Sequence, residues 1–484
     1  MRRGARRMGS EEGDRDQRSL PGIATGHLRD LAPAPRMSDP TRGWHDGMPT
    51  LWTHESDRKG MHVKKTKRAR ARSRASLTLA VAAMATMGVA LGSAGAAGAA
   101  GDKASAPGIT ASQVTIGLDT SLTGPAAANF NGAQQGAQAR IDLQNAEGGV
   151  NGRKIKLVVA DDQSSPTEAQ TAVSSLIQTQ NAFGLLFVSD LVSAAYRLPQ
   201  QLGVPVVGAA IDGPEWGEQP NTNMVSVAGD QGKVLPTYTD LAKAAKLAGA
   251  KNMASLAIAD EQPSIIGAEN YVKAAHAVGL KVGYENYSIP LGSVNSTTVV
   301  LAMKKAQVDG FQSYMLNTTD FAIMEGAKQA GLTLKAPMDF TSYTQDLLDN
   351  PSALQAAQGL IVAVAQVPVE EHTAATEKEQ AAFKKYEHFT GVPNLNWTYG
   401  WLSADLFIKG LQSAGKNPTR ASVLDALHHT TGWTANGLLG KAPDLSLKDF
   451  GHAPKTACSY FVRLVGSAYV PMNNGKQVCG NLVG

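Results

Sequence analysis

Cysteine is nearly absent: the 484 residues hold two, Cys458 and Cys479, both near the C-terminus. No further soft ligand stands close to them, which argues against a thiolate metal site. In an exported chain an even pair predicts a disulfide rather than two unrelated buried thiols. The usual catalytic signatures are missing as well. The turn GLDTSLTGP (117–125) lacks the Lys and the spacing of GxxxxGK[ST], so it is not a P-loop. No GxGxxG marks a dinucleotide site there, and neither GxSxG nor HExxH occurs. There is no repeat of solenoid period and no heptad seam. A nucleic-acid partner needs a basic face on the folded domain. The net charge of +4 does not supply one, because residues 1–74 carry 18 Lys/Arg against 9 Asp/Glu and the remainder 27 against 32.

The basic part is a leader. From Met61 the chain reads MHVKKTKRARARSR, followed by an uncharged stretch from Ala75 to Gly101. A cationic segment, an apolar segment and small A-x-A sites make a secretory signal peptide. An uncleaved anchor is the alternative, although Ala and Gly dilute the hydrophobicity of the stretch. No cysteine follows the apolar segment, so there is no lipid-attachment box. Residues 1–60 have no periodicity and read as an over-extended frame starting truly at Met61, or as a disordered extension; 61–106 is the signal peptide and linker. The expected location is outside the cytoplasm, periplasmic or at the cell envelope.

Beyond the leader, β-rich runs alternate with Ala-rich segments of helical spacing. The runs are VTIGL (114–118), KIKLVVAD (154–161), AFGLLFVS (182–189), VPVVGAA (204–210), NMASLAIAD (252–260), KVGYENYS (281–288), FQSYMLN (311–317) and GLIVAVAQV (359–367). Such alternation predicts an α/β fold with parallel sheets, and eight strands fit two lobes better than one. Ser165-Pro166 reads as a helix start, and Gly279 and Gly331 as helix ends. Residues 371–391 read as a charged, exposed helix and 396–415 as a more apolar one. The tail 456–480 is β-rich, with Asn473-Asn474-Gly475 as a tight turn and the cysteines pinning the arms around it.

Polar residues recur just past the strands: Ser121, Asp161-Asp162, Ser189-Asp190, Asp212, Asp260-Glu261 and Asn317-Thr318 through Asp320. In open α/β sheets ligands bind outside the carboxyl ends of the strands. Singly these residues are turn and cap residues; on two lobes they outline a polar cleft. Glu370-Glu371-His372 reads as a solvated stretch. His428-His429 ends a helix, where the dipole favours histidine and adjacent rings cannot chelate together.

VTIG…SLTGP and NGAQQGAQARIDLQNAEGGVNGRKIKLVVADDQSSPTEA, with GLLFVSDLVSAAYRLPQQLGVPVVGAA and IMEGAKQAGL, resemble type I solute-binding proteins of ABC importers. The branch is the one named for leucine, isoleucine and valine. The resemblance covers about residues 110–415. It implies two Rossmann-like lobes joined by three crossings, near 227–233, near 363–370 and at the start of the tail. Lobe 1 is then 109–231 plus 366–455, and lobe 2 is 232–365 plus 456–484. The implied protein is a monomer that binds and does not catalyse, without cofactor, closing on a small-molecule ligand and docking on a membrane permease. A ligand sensor for a membrane receptor and an exported α/β enzyme are the alternatives.

Carried onto this chain, the ligand set is Ser121 and Phe130 in the first loop and Ser189 and Asp190 after the third strand. Ala210 and Asp212 follow the fourth, Asn317 and Thr318 lie in the second lobe, and Thr341 and Tyr343 fall in DFTSYTQD. Trp216 is a further aromatic candidate. Thr341 stands where the family's amino-acid binders place a carboxylate, and Ile211 stands near a ligand threonine. A buried ammonium without a partner charge costs several kcal/mol. Unless Asp190, Asp212 or Asp320 substitutes, the sequence therefore predicts a solute other than a branched-chain amino acid.

Overall fold

The computed structural model describes residues 106–209, 213–228, 236–259, 261–291 and 295–483. The expectations for residues 1–105, for Ala210, Ile211 and Asp212, and for most of the first crossing lie outside these residues. The first sheet is parallel throughout. It comprises β1 (Gln113–Thr120), β2 (Lys154–Asp161), β3 (Gly184–Phe187), β4 (Val206–Gly208) and β5 (Met224–Ser226), in the order β2-β1-β3-β4-β5. Val114 through Thr120 are all buried, as expected of a central strand with helices on both faces. Helix α1 (Ala133–Ala146) follows the first loop, and α2 (Pro166–Ser174) follows β2. Pro166 does occupy the first helical turn, but Ser165 makes no side-chain cap bond.

The chain next builds the second sheet. β6 (Thr237–Tyr238) and α3 (Asp240–Leu247) precede β7 (Asn252–Ile258), α4 (Gln262–Ala277) and β8 (Lys281–Ile289). α5 (Ser296–Lys305), β9 (Gly310–Tyr314), α6 (Asn317–Gln329), β10 (Ala336–Asp339) and β11 (Ile361–Val364) continue it. Gly279 and Gly331 take φ of 73° and 66° just past α4 and α6, the left-handed geometry that lets a helix end and a strand begin. β5, β6 and β10 escape a pattern search because they are two to four residues long, and β10 contains Pro337.

Helices α7 (Ala374–Tyr386), α8 (Leu395–Ser413) and α9 (Arg420–His428) return to the first sheet. α8 lies along α1. The two cross where a Cβ on Gly136 would meet the Trp397 carbonyl oxygen at 2.0 Å and one on Gly400 the Ala133 carbonyl oxygen at 2.1 Å. Only glycine allows that approach. Phe383, Trp401, Leu406 and Phe407 join Ile116 and Leu118 in one apolar core. α7 is amphipathic: Glu377, Lys378, Lys384 and Lys385 are exposed as expected, while Thr376, Glu379, Ala382 and Phe383 are buried. Within this core Arg140 Nε donates to Asp405 Oδ1 at 2.6 Å, and Trp433 Nε1 to Asp405 Oδ2 at 2.8 Å.

The tail joins the second sheet. β12 (Thr456–Val465) runs antiparallel to β11, β13 (Ala468–Pro471) and β14 (Val478–Val483), giving the order β6-β14-β12-β11-β10-β9-β7-β8 with β13 beside β12. The second sheet is therefore mixed rather than parallel. The two-residue hairpin loop is Gly466-Ser467; Asn473–Gly475 forms a single 3₁₀ turn between β13 and β14. Cys458 and Cys479 stand opposite each other in β12 and β14 and form a disulfide across a sequence separation of 21. Replacing both with serine is expected to lower unfolding stability by about 3 kcal/mol through chain entropy. Urea unfolding of variant and wild type checks this.

Candidate functional site

At the carboxyl end of the first sheet, strand register explains a cluster of polar side chains. β1 pairs β2 with Thr120 opposite Asp161, and pairs β3 with Asp119 opposite Phe187. One and two residues further on, Ser121, Asp162 and Ser189 must lie side by side. They do: Ser121 Oγ donates to Asp162 Oδ1 at 2.5 Å and Ser189 Oγ to Asp162 Oδ2 at 2.5 Å. The Ser164 amide adds a bond to Oδ1 at 2.8 Å. Asp162 is fully buried, with Ser121 and Ser189 each 1% exposed. Its neighbour Asp161 ties down the first loop. Its Oδ1 accepts from the Leu122 and Thr123 amides and its Oδ2 from Thr123 Oγ1 at 2.6 Å. Those bonds hold the Asp161 carboxyl below its ordinary value against the opposing effect of burial.

Asp162 organises two of the hydroxyls assigned to the ligand. Its replacement by alanine removes two side-chain bonds and one backbone bond to a charged group, each worth roughly 1.5–3 kcal/mol. The Asp162→Ala variant is expected to lose stability in urea unfolding and to lose ligand affinity beyond the stability change. Beneath it sits Asp119, 1% exposed, neither oxygen of which has a partner. Burial, then Asp162 and Asp161, push its carboxyl well above the usual range.

The other proposed contacts divide into open and packed groups. Asp190 is half-buried; burial, and after it the nearby Asp162, raise its carboxyl. Glu261, at the start of α4 in the second lobe, is raised by partial burial and then by the charge of Asp190. Asn317 is half-buried and Thr318 exposed in the first turn of α6, and Thr341 is exposed past β10. The aromatic candidates are packed instead. Phe130, 6% exposed, belongs to the first-lobe core, and Trp216, 1% exposed, to the cluster on the opposite face of that sheet. Tyr343, 5% exposed, donates to Glu370 Oε2 at 2.7 Å and accepts from the Val369 amide at 3.0 Å. Glu370 is consequently not the solvated residue its sequence context predicts. Asp320 is fully buried and Asp339 is 2% exposed, both raised chiefly by burial, Asp339 to about 7. They form a buried pair below the second-lobe surface.

The histidine pair is structural. The two His428 ring nitrogens lie 2.8 Å from the Leu445 and Thr222 carbonyl oxygens, and His429 Nδ1 lies 2.8 Å from the Asp425 carbonyl oxygen. Among the described residues no helix is long and apolar enough to cross a membrane.

Known proteins share this architecture. The chain is 30% identical over 133 residues to the Leu/Ile/Val-binding protein BraC3 of Rhizobium johnstonii, a match covering 26% of this chain and 35% of that protein. The aligned part thus spans about a third of the length of the Leu/Ile/Val-binding relatives. It is 24% identical to an amino acid binding protein of Pseudomonas aeruginosa, over 70% of this chain and 88% of that one. The fold is that of a branched-chain amino acid ABC transporter protein from Thermus thermophilus crystallised with valine, with a TM-score of 0.62 and 18% identity, covering 75% of this chain and 95% of that one. A solute-binding protein from R. palustris in complex with benzoate superposes with a TM-score of 0.59 and 16% identity, covering 76% of this chain and 97% of that one. The family model described as "Periplasmic binding protein" matches residues 113–468, and the chain belongs to the periplasmic binding protein family.

Proposed function

We propose that the protein is the extracytoplasmic binding subunit of an ABC uptake system, holding a small organic solute that carries a positively charged nitrogen and handing it to a membrane permease. The observation that carries the solute class is the pair Asp190 and Glu261, one from each lobe. After burial, Asp162 raises the proton affinity of Asp190, and Asp190 raises that of Glu261. An ammonium between the pair supplies the missing counter-charge. A carboxylate ligand there faces two like charges, which costs affinity. The pair offers an amino-bearing ligand a counter-charge, although Thr341 stands where the amino-acid binders carry their carboxylate. Ligand recognition is supported by a floor whose hydroxyls, Ser121 and Ser189, are both held by one buried carboxylate.

The test is a thermal-shift screen across amino acids, amines, amides, organic acids and aromatic compounds, because a native-state binder raises stability by mass action. The expected hits bear a cationic nitrogen and weaken in Asp190→Asn and Glu261→Gln variants. Hits confined to acids such as benzoate, or unaffected by both variants, contradict the proposed solute class.

A further inference from the structure

The loop past β10 that carries Thr341 and Tyr343 ends in a contact with the other lobe. The Gln345 amide donates to the Val392 carbonyl oxygen at 3.0 Å, and the Val392 amide donates to Gln345 Oε1 at 3.2 Å. One bond comes from the Gln345 backbone and the other reaches its side-chain oxygen. Val392 lies between α7 and α8, which pack on the first lobe, yet its side chain is 6% exposed and sits in the second lobe's apolar cluster with Tyr343, Leu347 and Val367. Gly391 makes the approach possible: its φ is +119°, and a Cβ there would lie 2.3 Å from Gln345 Oε1.

The same segment reaches the first-lobe lip. Asn394 caps α8 through its side-chain oxygen and donates from Nδ2 to the Asn131 carbonyl oxygen at 2.9 Å, while Asn396 Nδ2 donates to the Asn129 carbonyl oxygen. Residues 391–396 therefore join the loop holding Phe130 to the loop holding Thr341 and Tyr343. Behind them, the Tyr343 bond to Glu370 fixes the second-lobe loop to the chain that crosses between the lobes.

We infer that Gln345 and Val392 form an interlobe clasp that sets the separation of the two lobes and positions the second-lobe ligand loop against the first-lobe lip. Its consequence for affinity rests on the cleft being the ligand site, but the clasp itself is testable in ligand-free protein, so the two readings fail separately.

The experiment places spin labels on cysteines introduced at the exposed Gln170 in α2 and Lys273 in α4 and measures their distance distribution by double electron–electron resonance. The native cysteines are sequestered in their disulfide. Gln345→Ala and, independently, Gly391→Ala are expected to broaden the distribution and move it to longer separations. Gln358→Ala is the control: Gln358 makes a two-bond pairing with Gly466 through its side-chain amide, wholly inside the second lobe. It is expected to leave the distribution unchanged. If Gln345→Ala does not melt cooperatively, Gly391→Ala decides. A wild-type distribution in the folded clasp variants, or an equal shift in the control, overturns the clasp.

Discussion

Asp405→Ala destabilises the protein by about 3–5 kcal/mol, the expected cost of removing one partner from a buried ion pair. Asp405 accepts from both Arg140 Nε and Trp433 Nε1, and its own side chain and that of Arg140 are 6% and 9% exposed. Losing it leaves the guanidinium buried between α1 and α8 with Gln144 as its remaining side-chain acceptor, at 3.3 Å. Arg140 also lies over the Trp401 ring at 5.8 Å, so the stranded charge disturbs the aromatic core as well. The Arg140→Met, Asp405→Leu double variant is expected to recover much of the loss, because a well-packed apolar pair has no charge to desolvate. Urea unfolding of the single and double variants measures both effects. A single variant within about 0.5 kcal/mol of wild type, the range of ordinary surface substitutions, contradicts this description of the core.

The protein is expected to be more stable near pH 5 than near pH 8. Glu379 is fully buried on α7 and its carboxyl is pushed up to about 8 by burial, which the hydrogen bond from Gln366 Nε2 at 2.8 Å only partly offsets. Unfolded, the same carboxyl titrates at its ordinary 4.5. Between those values the folded state holds a proton that the unfolded chain has released, so stability falls as pH rises through the window. Asp339 acts the same way between 3.8 and about 7, and the buried Asp119 and Asp320 add the same sign. Asp161 and Asp309 are lowered and oppose this only at the acid end, where stability drops as they protonate. A tenfold difference in proton affinity between the folded and unfolded states corresponds to about 1.4 kcal/mol, so the combined loss is on the order of several kcal/mol. Glu379→Gln keeps an acceptor for Gln366 and removes one titration. It is expected to raise the melting temperature at pH 8 with little effect at pH 5. A variant that melts like wild type at both pH values contradicts the assignment.

The parts of the fold visible in the sequence are those with long, unambiguous patterns. β1 and β2 stand out through runs of β-branched residues, and α4 and α6 end at glycines whose positive φ the structure requires. The polar residues past the strand ends are legible too. What each of those residues does is not legible, because it depends on register. Ser121, Asp162 and Ser189 become neighbours only once β2-β1-β3 is known as a strand order, and a cluster of two serines around one carboxylate leaves no local spacing to find. Aromatic residues mislead in the opposite direction. Phe130 and Trp216 sit in cleft-side loops by sequence, yet their large apolar area draws them into the cores. Glu370 and Glu379 fail for a related reason. Charge patterning reads them as solvated, whereas the return of α7 to the first lobe buries Glu379 and the Tyr343 hydroxyl engages the half-buried Glu370. Burial of that kind is a tertiary event with no periodic trace.

Small-angle scattering of the protein, before and after saturation with the strongest hit from the ligand screen, tests the central claim most directly. Binding in a cleft between two hinged lobes predicts one-to-one saturation with a decrease in the radius of gyration, and loss of both in the Asp190→Asn, Glu261→Gln double variant. Saturable binding that leaves the radius of gyration unchanged and survives the double variant would place the ligand elsewhere and contradict that claim.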